Sequence, residues 1–105
     1  MKLTKIAGAC ALTLAALTGA PAHAQISGDV IKIGLITDMS SLYADIDGQG
    51  GVEAIRMAIA DAGGAVNGKK VELMFADHQN KADVAAAKAR EWFDTQGLDM
   101  LIGGT

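Results

Sequence analysis

Apolar and polar positions alternate along the chain in two different periods, and the changes of period mark the predicted elements. Val30 to Thr37, VIKIGLIT, is β-branched and almost continuously apolar, which predicts a strand buried on both faces of a parallel sheet. Residues 69–77, KKVELMFAD, alternate between apolar and more polar side chains, which is typical of a strand near a sheet edge. Leu98 to Gly103, LDMLIG, forms a third predicted strand.

The segments between these strands have helical spacing. Positions 52, 55, 59 and 62 place apolar side chains on one face of a helix that begins at Gly50 or Gly51 and is stopped by Gly63-Gly64. A second helix is expected after Asn80, the predicted N-cap, with Gly97 as a left-handed residue at its end. Ala85, Ala89, Trp92, Phe93 and Gln96 recur in it at helical spacing, and Trp92 and Phe93 are expected to pack on the sheet.

The order strand, helix, strand, helix, strand predicts the fold class: α/β, a partial doubly wound parallel sheet. Short linkers leave right-handed crossovers as the expected connections. With the first strand central, the strand order is 2-1-3. Because the predicted third strand is followed by only Gly104 and Thr105, we expect the chain to be an N-terminal fragment of a longer protein.

Residues 1–24 have the three parts of a secretory signal peptide, which predicts a periplasmic protein. Lys2 and Lys5 form the basic start, residues 6–17 the apolar stretch, and Ala22-His23-Ala24 the cleavage motif, so cleavage is expected after Ala24. The alternative is a buried helix of the mature fold. Removing the leader also removes Cys10, and the remaining chain has no thiol for a disulfide or a nucleophile.

Charge and residue content exclude several functions for residues 25–105. Without the leader, seven basic and twelve acidic residues remain, a net charge of −5, which disfavours nucleic-acid binding. No later apolar run is long enough to span a bilayer, so we expect a soluble mature chain. Only His78 remains of the two histidines, so a metal site is not expected. Asp77, beside His78, is predicted to bond backbone amides at a strand end rather than to act in catalysis.

Two glycine-rich segments resemble nucleotide-binding loops only in part. Gly63 to Lys70 has the spacing of a phosphate loop, but Lys70 replaces the expected Ser or Thr, and the segment leads from helix to strand. Gly48 to Gly51 lacks the third glycine of the dinucleotide motif, where Glu53 stands, and lies far from the preceding strand. We therefore predict a helix stop followed by a tight turn at the first segment, a helix entry at the second, and no cofactor.

The strongest candidate site lies where the strand order reverses. In an open α/β sheet ligands bind beyond the carboxyl ends of the strands at this point, which here means the loop from Asp38 to Asp47 and the segment from Gly104 onward. Hydroxyls and backbone amides there suit a carboxylate ligand, although an ordinary polar loop is an equal alternative. The candidate ligand-binding residues are Ser40, Ser41, Leu42, Tyr43, Gly104 and Thr105.

Several short features follow one another in a characteristic order and spacing. They are the apolar first strand running into Met39-Ser40, a glycine-led helix ending in Ala60-Asp61 and Gly63-Gly64, Asn67-Gly68, Asp77, an Ala-rich second helix, and Leu101-Ile102-Gly103. In this order, the segment from Asp29 to Thr105 resembles the N-terminal lobe of the periplasmic substrate-binding proteins of branched-chain amino acid type ABC importers.

The resemblance implies a two-lobed protein that closes on a ligand and delivers it to an ABC permease. Residues 25–105 would then be the opening part of the first lobe, with Ser40 to Tyr43 at the cleft edge and Gly104-Thr105 beginning the loop that grips the ligand's α-carboxylate. Two departures from the common pattern leave the ligand open among amino acids, amides, urea and aromatic acids. Ser40-Ser41-Leu42 replaces Ser-Gly-Pro, and Ile46 stands where an aromatic side chain often contacts the substrate.

Two alternatives to an importer component use the same kind of fold. One is a ligand-sensing receptor domain. The other is a flavodoxin-like or dinucleotide-binding enzyme, which would need a tight glycine loop directly after the first strand, and residues 38–47 do not supply one. We expect a binding protein with no catalytic residues.

Overall fold

The computed structural model describes residue 26 and residues 28–105, so the predicted leader and its cleavage site after Ala24 lie outside the described residues. The elements are β1 (Val30–Thr37), α1 (Gln49–Asp61), β2 (Ala65–Val66), β3 (Lys69–Asp77), α2 (Ala82–Thr95) and β4 (Met100–Gly103). A single π-helical turn, Ala44–Gly48, leads directly into α1. Within the described part of the chain, neither helix is long and apolar enough to cross a membrane.

The strands form one sheet in the order β2-β3-β1-β4, with β1 parallel to both β3 and β4. The predicted 2-1-3 order of the three long strands is thereby confirmed. The two-residue β2 was not predicted; it pairs antiparallel with the start of β3 through a tight turn at Asn67-Gly68. Both turn residues have positive φ, 50° and 78°, as a two-residue hairpin turn requires.

The two helices cover opposite faces of the sheet. Successive residues of β1 point to opposite faces, so neighbouring residues of this strand contact different helices. Leu35 faces α1, where its Cδ2 would lie 3.3 Å from a Cβ on Gly51. Val52, the next residue of this helix, is fully buried. Gly34 faces α2: a Cβ at this position would lie 2.8 Å from two ring carbons of Trp92. The absence of a side chain at Gly34 thus lets the indole ring rest directly on the central strand.

Three local predictions were wrong at the second helix and the third strand. Phe93 is 49% exposed, because neighbouring residues of a helix cannot both face the sheet, and Trp92 takes the inward position. Asn80 does not cap α2: it has φ 54°, its N–H donates to His78 Nδ1 at 2.9 Å, and the N-cap is Lys81. The third strand begins at Met100 rather than Leu98, whose side chain is buried in the core with Ile36 and Trp92.

Candidate functional site

The carboxyl ends of β1, β3 and β4 are joined by backbone hydrogen bonds. The N–H of His78 donates to Thr37 O at 3.0 Å, and the N–H of Asp38 donates to Thr105 O at 2.8 Å. The N–H of Gly104 donates to Ile36 O at 2.9 Å, which continues the ladder past the end of β4. The two segments that the sequence predicted as the candidate site therefore lie side by side at one edge of the sheet.

Asp38 organises the loop after β1. Its side chain is fully buried, and its carboxylate accepts hydrogen bonds from the backbone N–H groups of Ser41 and Tyr43, both at 2.9 Å, and of Ser40 at 3.3 Å. The Ser41 hydroxyl also donates to it at 2.6 Å. The loop therefore takes its shape from one central carboxylate to which its backbone amides point.

The environment of Asp38 favours its charged form. Burial on its own would raise the pKa of this carboxyl, but the bonds from the Ser41 hydroxyl and from the amides of Tyr43, Ser41 and Ser40 outweigh that effect and lower the pKa to about 2. Asp38 is therefore ionised throughout the physiological pH range and acts as a permanent anchor for the loop.

This anchor predicts a specific acid sensitivity. Because the folded-state pKa lies below the ordinary value of 3.8, ionised Asp38 contributes stability that is complete above that value and is lost as the pH falls through about 2. The melting temperature should hold from neutral pH to about pH 4 and then fall toward about pH 2. In Asp38→Asn this acid-dependent fall should be smaller, whereas Asp45→Asn, a change at an exposed neighbour, should leave it unchanged. An equal fall in Asp38→Asn and the wild type would contradict the assignment.

The four predicted residues of this loop all have exposed side chains. Leu42 is 76% exposed and Tyr43 39%, so both project from the loop while their backbones are held beneath. Ser40 and Ser41 differ from them because their hydroxyls are already directed to carboxylates. The Ser41 hydroxyl proton goes to Asp38, and the Ser40 hydroxyl bonds to Asp77.

Asp77 links the end of β3 to the same loop. Its Oδ1 accepts the N–H of Met39 at 2.9 Å and that of Gln79 at 2.8 Å. The Ser40 hydroxyl and the Met39 and Gln79 amides lower the pKa of Asp77 below its ordinary value, against burial and the nearby charge of Asp38. The prediction that Asp77 bonds backbone amides at its strand end is confirmed.

Asp47 lies in the π-helical turn and, like Asp38, has a role at this edge that the sequence did not predict. Its Oδ1 accepts the hydroxyls of Thr37 and Thr105, each at 2.7 Å, and its Oδ2 accepts the N–H of Thr105 at 2.9 Å. The two bonds from Thr105, followed by that from Thr37, lower the pKa of Asp47 below its ordinary value. The only sequence signal was an acidic residue just before a helix.

Two glycines allow the segments of this edge to approach closely. A Cβ on Gly48 would lie 2.9 Å from Asp38 O. A Cβ on Gly104 would overlap the Thr37 hydroxyl and lie 2.7 Å from Asp47 Oδ2. Both positions therefore exclude larger residues for steric reasons.

An open cavity of about 280 Å³ lies next to Thr105, between the sheet edge and the start of α2. It is lined by His78, Asn80, Lys81, Ala82, Ala85 and Thr105.

Among residues 26 and 28–105 there is no group of three or more His, Cys, Asp or Glu side chains placed to hold a metal ion. The arrangement at this edge is suited to binding a small molecule between shaped loops.

The two glycine-rich segments form turns and a helix start rather than nucleotide loops. Gly63 and Gly64 have φ values of 81° and 76° and end α1, as predicted. Lys69 donates to Gly28 O at 3.0 Å, at the opposite end of the sheet from the candidate site. Gly48 is the last residue of the π-helical turn and Gly50 and Gly51 lie in the first turn of α1, so this segment is separated from β1 by the whole of the 38–47 loop.

The sequence of the chain was compared with known protein families. Residues 30–105 match the family described as periplasmic binding protein, and the chain belongs to that family. Members of this family are solute-binding proteins, and membership implies a periplasmic location. None of the curated proteins compared with the chain matches it.

Solved structures similar to the chain have the same fold. A periplasmic binding protein from Burkholderia mallei is 72% identical, with a TM-score of 0.71 over 72% of this chain and 20% of that one. A branched chain amino acid ABC transporter periplasmic ligand-binding protein from Burkholderia xenovorans is 50% identical, with a TM-score of 0.66 over 69% of this chain and 19% of that one.

A third similar structure was solved with a ligand. It is a solute binding protein of an ABC transporter from Rhodopseudomonas palustris, in complex with 3,4-dihydroxy benzoic acid. It is 28% identical, with a TM-score of 0.65 over 70% of this chain and 20% of that one. The chain thus spans about a fifth of the length of each of these three structures.

Proposed function

We propose that the chain is the opening part, residues 25–105, of the first lobe of a solute-binding protein that serves an ABC importer. The observation that supports this most directly is the paired loops at the switch point of the sheet: the 38–47 loop is held from beneath by Asp38, and the Gly104-Thr105 segment lies against it. Similarity to the Burkholderia xenovorans transporter protein supports the importer assignment. The proposed role has no catalytic step.

The ligand we propose is a small carboxylate or amide with an apolar portion, such as an amino acid or an aromatic acid. Leu42 and Tyr43 are the exposed apolar side chains of the loop and supply a surface for that portion. The two ligand chemistries named for similar proteins, branched-chain amino acids and a dihydroxybenzoate, share a carboxylate on an apolar body.

The hydrogen-bond directions restrict how this lobe can hold such a ligand. The Ser41 hydroxyl donates its proton to Asp38, and the Thr105 hydroxyl donates its proton to Asp47. Both hydroxyls can therefore only accept hydrogen bonds from a ligand. Among the described site residues, the phenol of Tyr43 keeps a free donor. A carboxylate would therefore be bound by Tyr43, by further amides of the loop that begins at Gly104, and by the second lobe.

Capture would proceed by closure of two lobes. A ligand that contacts both lobes only in the closed form shifts the population toward that form. The closed surface would then be the one that the membrane permease recognises, and delivery would reopen the cleft. The rigid 38–47 loop would serve as a fixed wall against which the second lobe closes.

The decisive test begins with the nucleotide sequence beyond codon 105. We expect the reading frame to continue into a second lobe. Calorimetric titration of the complete product against leucine, a small amide, benzoate and 3,4-dihydroxybenzoate should give a dissociation constant of the order of micromolar or tighter for at least one of them. The proposal would be contradicted if the complete product had no second lobe and bound none of these probes.

A matched pair of variants tests whether the 38–47 loop contributes to binding. Tyr43→Ala should weaken the affinity for the bound probe by about tenfold or more, the scale of one lost aromatic contact and hydrogen bond. Phe93→Ala removes another exposed aromatic side chain, far from the sheet edge, and should bind as the wild type does. Equal affinities of Tyr43→Ala and the wild type would place the ligand elsewhere.

A further inference from the structure

One carboxylate connects three separate segments at the candidate site. Asp47 belongs to the π-helical turn before α1, Thr37 is the last residue of β1, and Thr105 follows β4. Three hydrogen bonds of 2.7–2.9 Å meet at this carboxylate, two of them from Thr105 through its hydroxyl and its N–H. Bonds to an ionised acceptor are stronger than bonds between neutral groups, so this junction is well suited to fix geometry.

The bonds to Asp47 determine the orientation of Thr105. Its carbonyl is held by the N–H of Asp38 at 2.8 Å, while its amide and hydroxyl are both held by Asp47. Gly104, which has no side chain, allows Thr37 and Asp47 to come this close. Without Asp47, the ladder bonds from Gly104 and Asp38 and the 3.3 Å bond from the Thr37 hydroxyl to Thr105 O would remain, but none of them fixes the direction of the Thr105 amide and hydroxyl.

We propose that Asp47 is a positioning residue for ligand binding: it sets the direction in which the chain leaves β4 and thereby orients the groups that this loop offers to the ligand. This inference rests on the proposed function, since it concerns the same site. Asp47 acts through Thr105 and Thr37 rather than by contact with the ligand.

The variants compare two acidic residues of the same turn in the product of the complete reading frame. Asp47→Asn removes the charge and replaces one acceptor oxygen with a donor NH₂ group. Asp45→Asn makes the same chemical change at an exposed position two residues away. We expect Asp47→Asn to weaken binding of the probe 3,4-dihydroxybenzoate by about tenfold or more, the scale of one lost charge-assisted bond. Asp45→Asn should bind as the wild type does.

A double-mutant cycle separates positioning from a general loss of stability. Thr105→Val removes the hydroxyl from the same junction, so its effect on affinity should not add to that of Asp47→Asn. Thr37→Ser keeps the hydroxyl and should retain wild-type affinity, whereas Thr37→Val should lose part of it. If Asp47→Asn fails to fold, the Thr37 and Thr105 variants decide the question by the same affinity measurement.

Amide hydrogen exchange gives a measurement that does not depend on the ligand. In the peptide that contains Thr105, exchange should be faster in Asp47→Asn than in the wild type and unchanged in Asp45→Asn. Unchanged exchange, wild-type affinity in Asp47→Asn, or additive effects in the cycle would each overturn the proposal. If the wild type binds none of the probes, the proposed ligand class fails, and hydrogen exchange alone decides whether Asp47 fixes the loop.

Discussion

Replacing Trp92 with alanine should lower the free energy of unfolding by about 3–5 kcal/mol, the cost of removing a large aromatic side chain from a core. Trp92 is 6% exposed and is one of the three buried residues of the core on the α2 face, with Ile36 and Leu98. Its ring lies directly on Gly34 of the central strand. Three of the four partly buried side chains that pack against this core are alanines, which are too short to refill the cavity left by the indole ring: Met74, Ala76, Ala85 and Ala89.

Phe93→Ala is the matched control for this prediction, because it removes an aromatic ring from the adjacent position of the same helix. Phe93 is 49% exposed, so its loss should change stability by less than about 1 kcal/mol. Urea unfolding of the complete gene product, followed by far-ultraviolet circular dichroism, measures both. Similar costs for the two variants would show that α2 does not have the orientation described.

Gly104→Ala should disrupt the edge of the sheet more than its single methyl group suggests. The new Cβ would overlap the Thr37 hydroxyl and lie 2.7 Å from Asp47 Oδ2, so the segment after β4 must move away from β1. We expect a loss of about 1–3 kcal/mol in stability, typical of overpacking. Because the segment that moves is part of the candidate site, affinity for the bound probe should also fall by about tenfold or more, the scale of the junction bonds it would break.

Gly103→Ala provides the comparison for Gly104→Ala. A Cβ at Gly103 would have no neighbouring atom within 4 Å, so this variant should remain close to the wild type in both stability and affinity. Thermal melting and calorimetric titration of the two variants measure the difference. A tolerated Gly104→Ala with a harmful Gly103→Ala would mean that β4 lies in a different register against β1.

Local patterns were sufficient to predict the order of the long strands and that the two candidate segments lie together at the ends of β1 and β4. A continuous apolar run predicts a central strand because both of its faces must be covered, and β1 lies between β3 and β4 as expected. The role of Asp77 was also accessible, since its partners Met39 and Gln79 are main-chain groups at the end of the strand. The family was identified from the order of such features, and the match over residues 30–105 confirms it.

The hydrogen-bonded support of the site was not predictable from local patterns. Asp47 and Thr105 are 58 residues apart in the sequence, and only the pairing of β1 with β4 brings them together. Asp38 looked like an ordinary loop residue because its role depends on the fold of the five residues that follow it. Whether Trp92 or Phe93 faces the sheet likewise depends on how α2 is rotated about its own axis against the sheet.

Asp38 holds its loop through backbone amides and the hydroxyl of Ser41, and it makes no use of the side chains of Leu42 and Tyr43. A loop supported in this way can exchange its projecting side chains without losing its shape. Leu42 and Tyr43 are therefore natural positions for laboratory retargeting: a library randomised at these two sites should consist mainly of folded proteins. New ligand preferences could then be selected from it without rebuilding the sheet beneath.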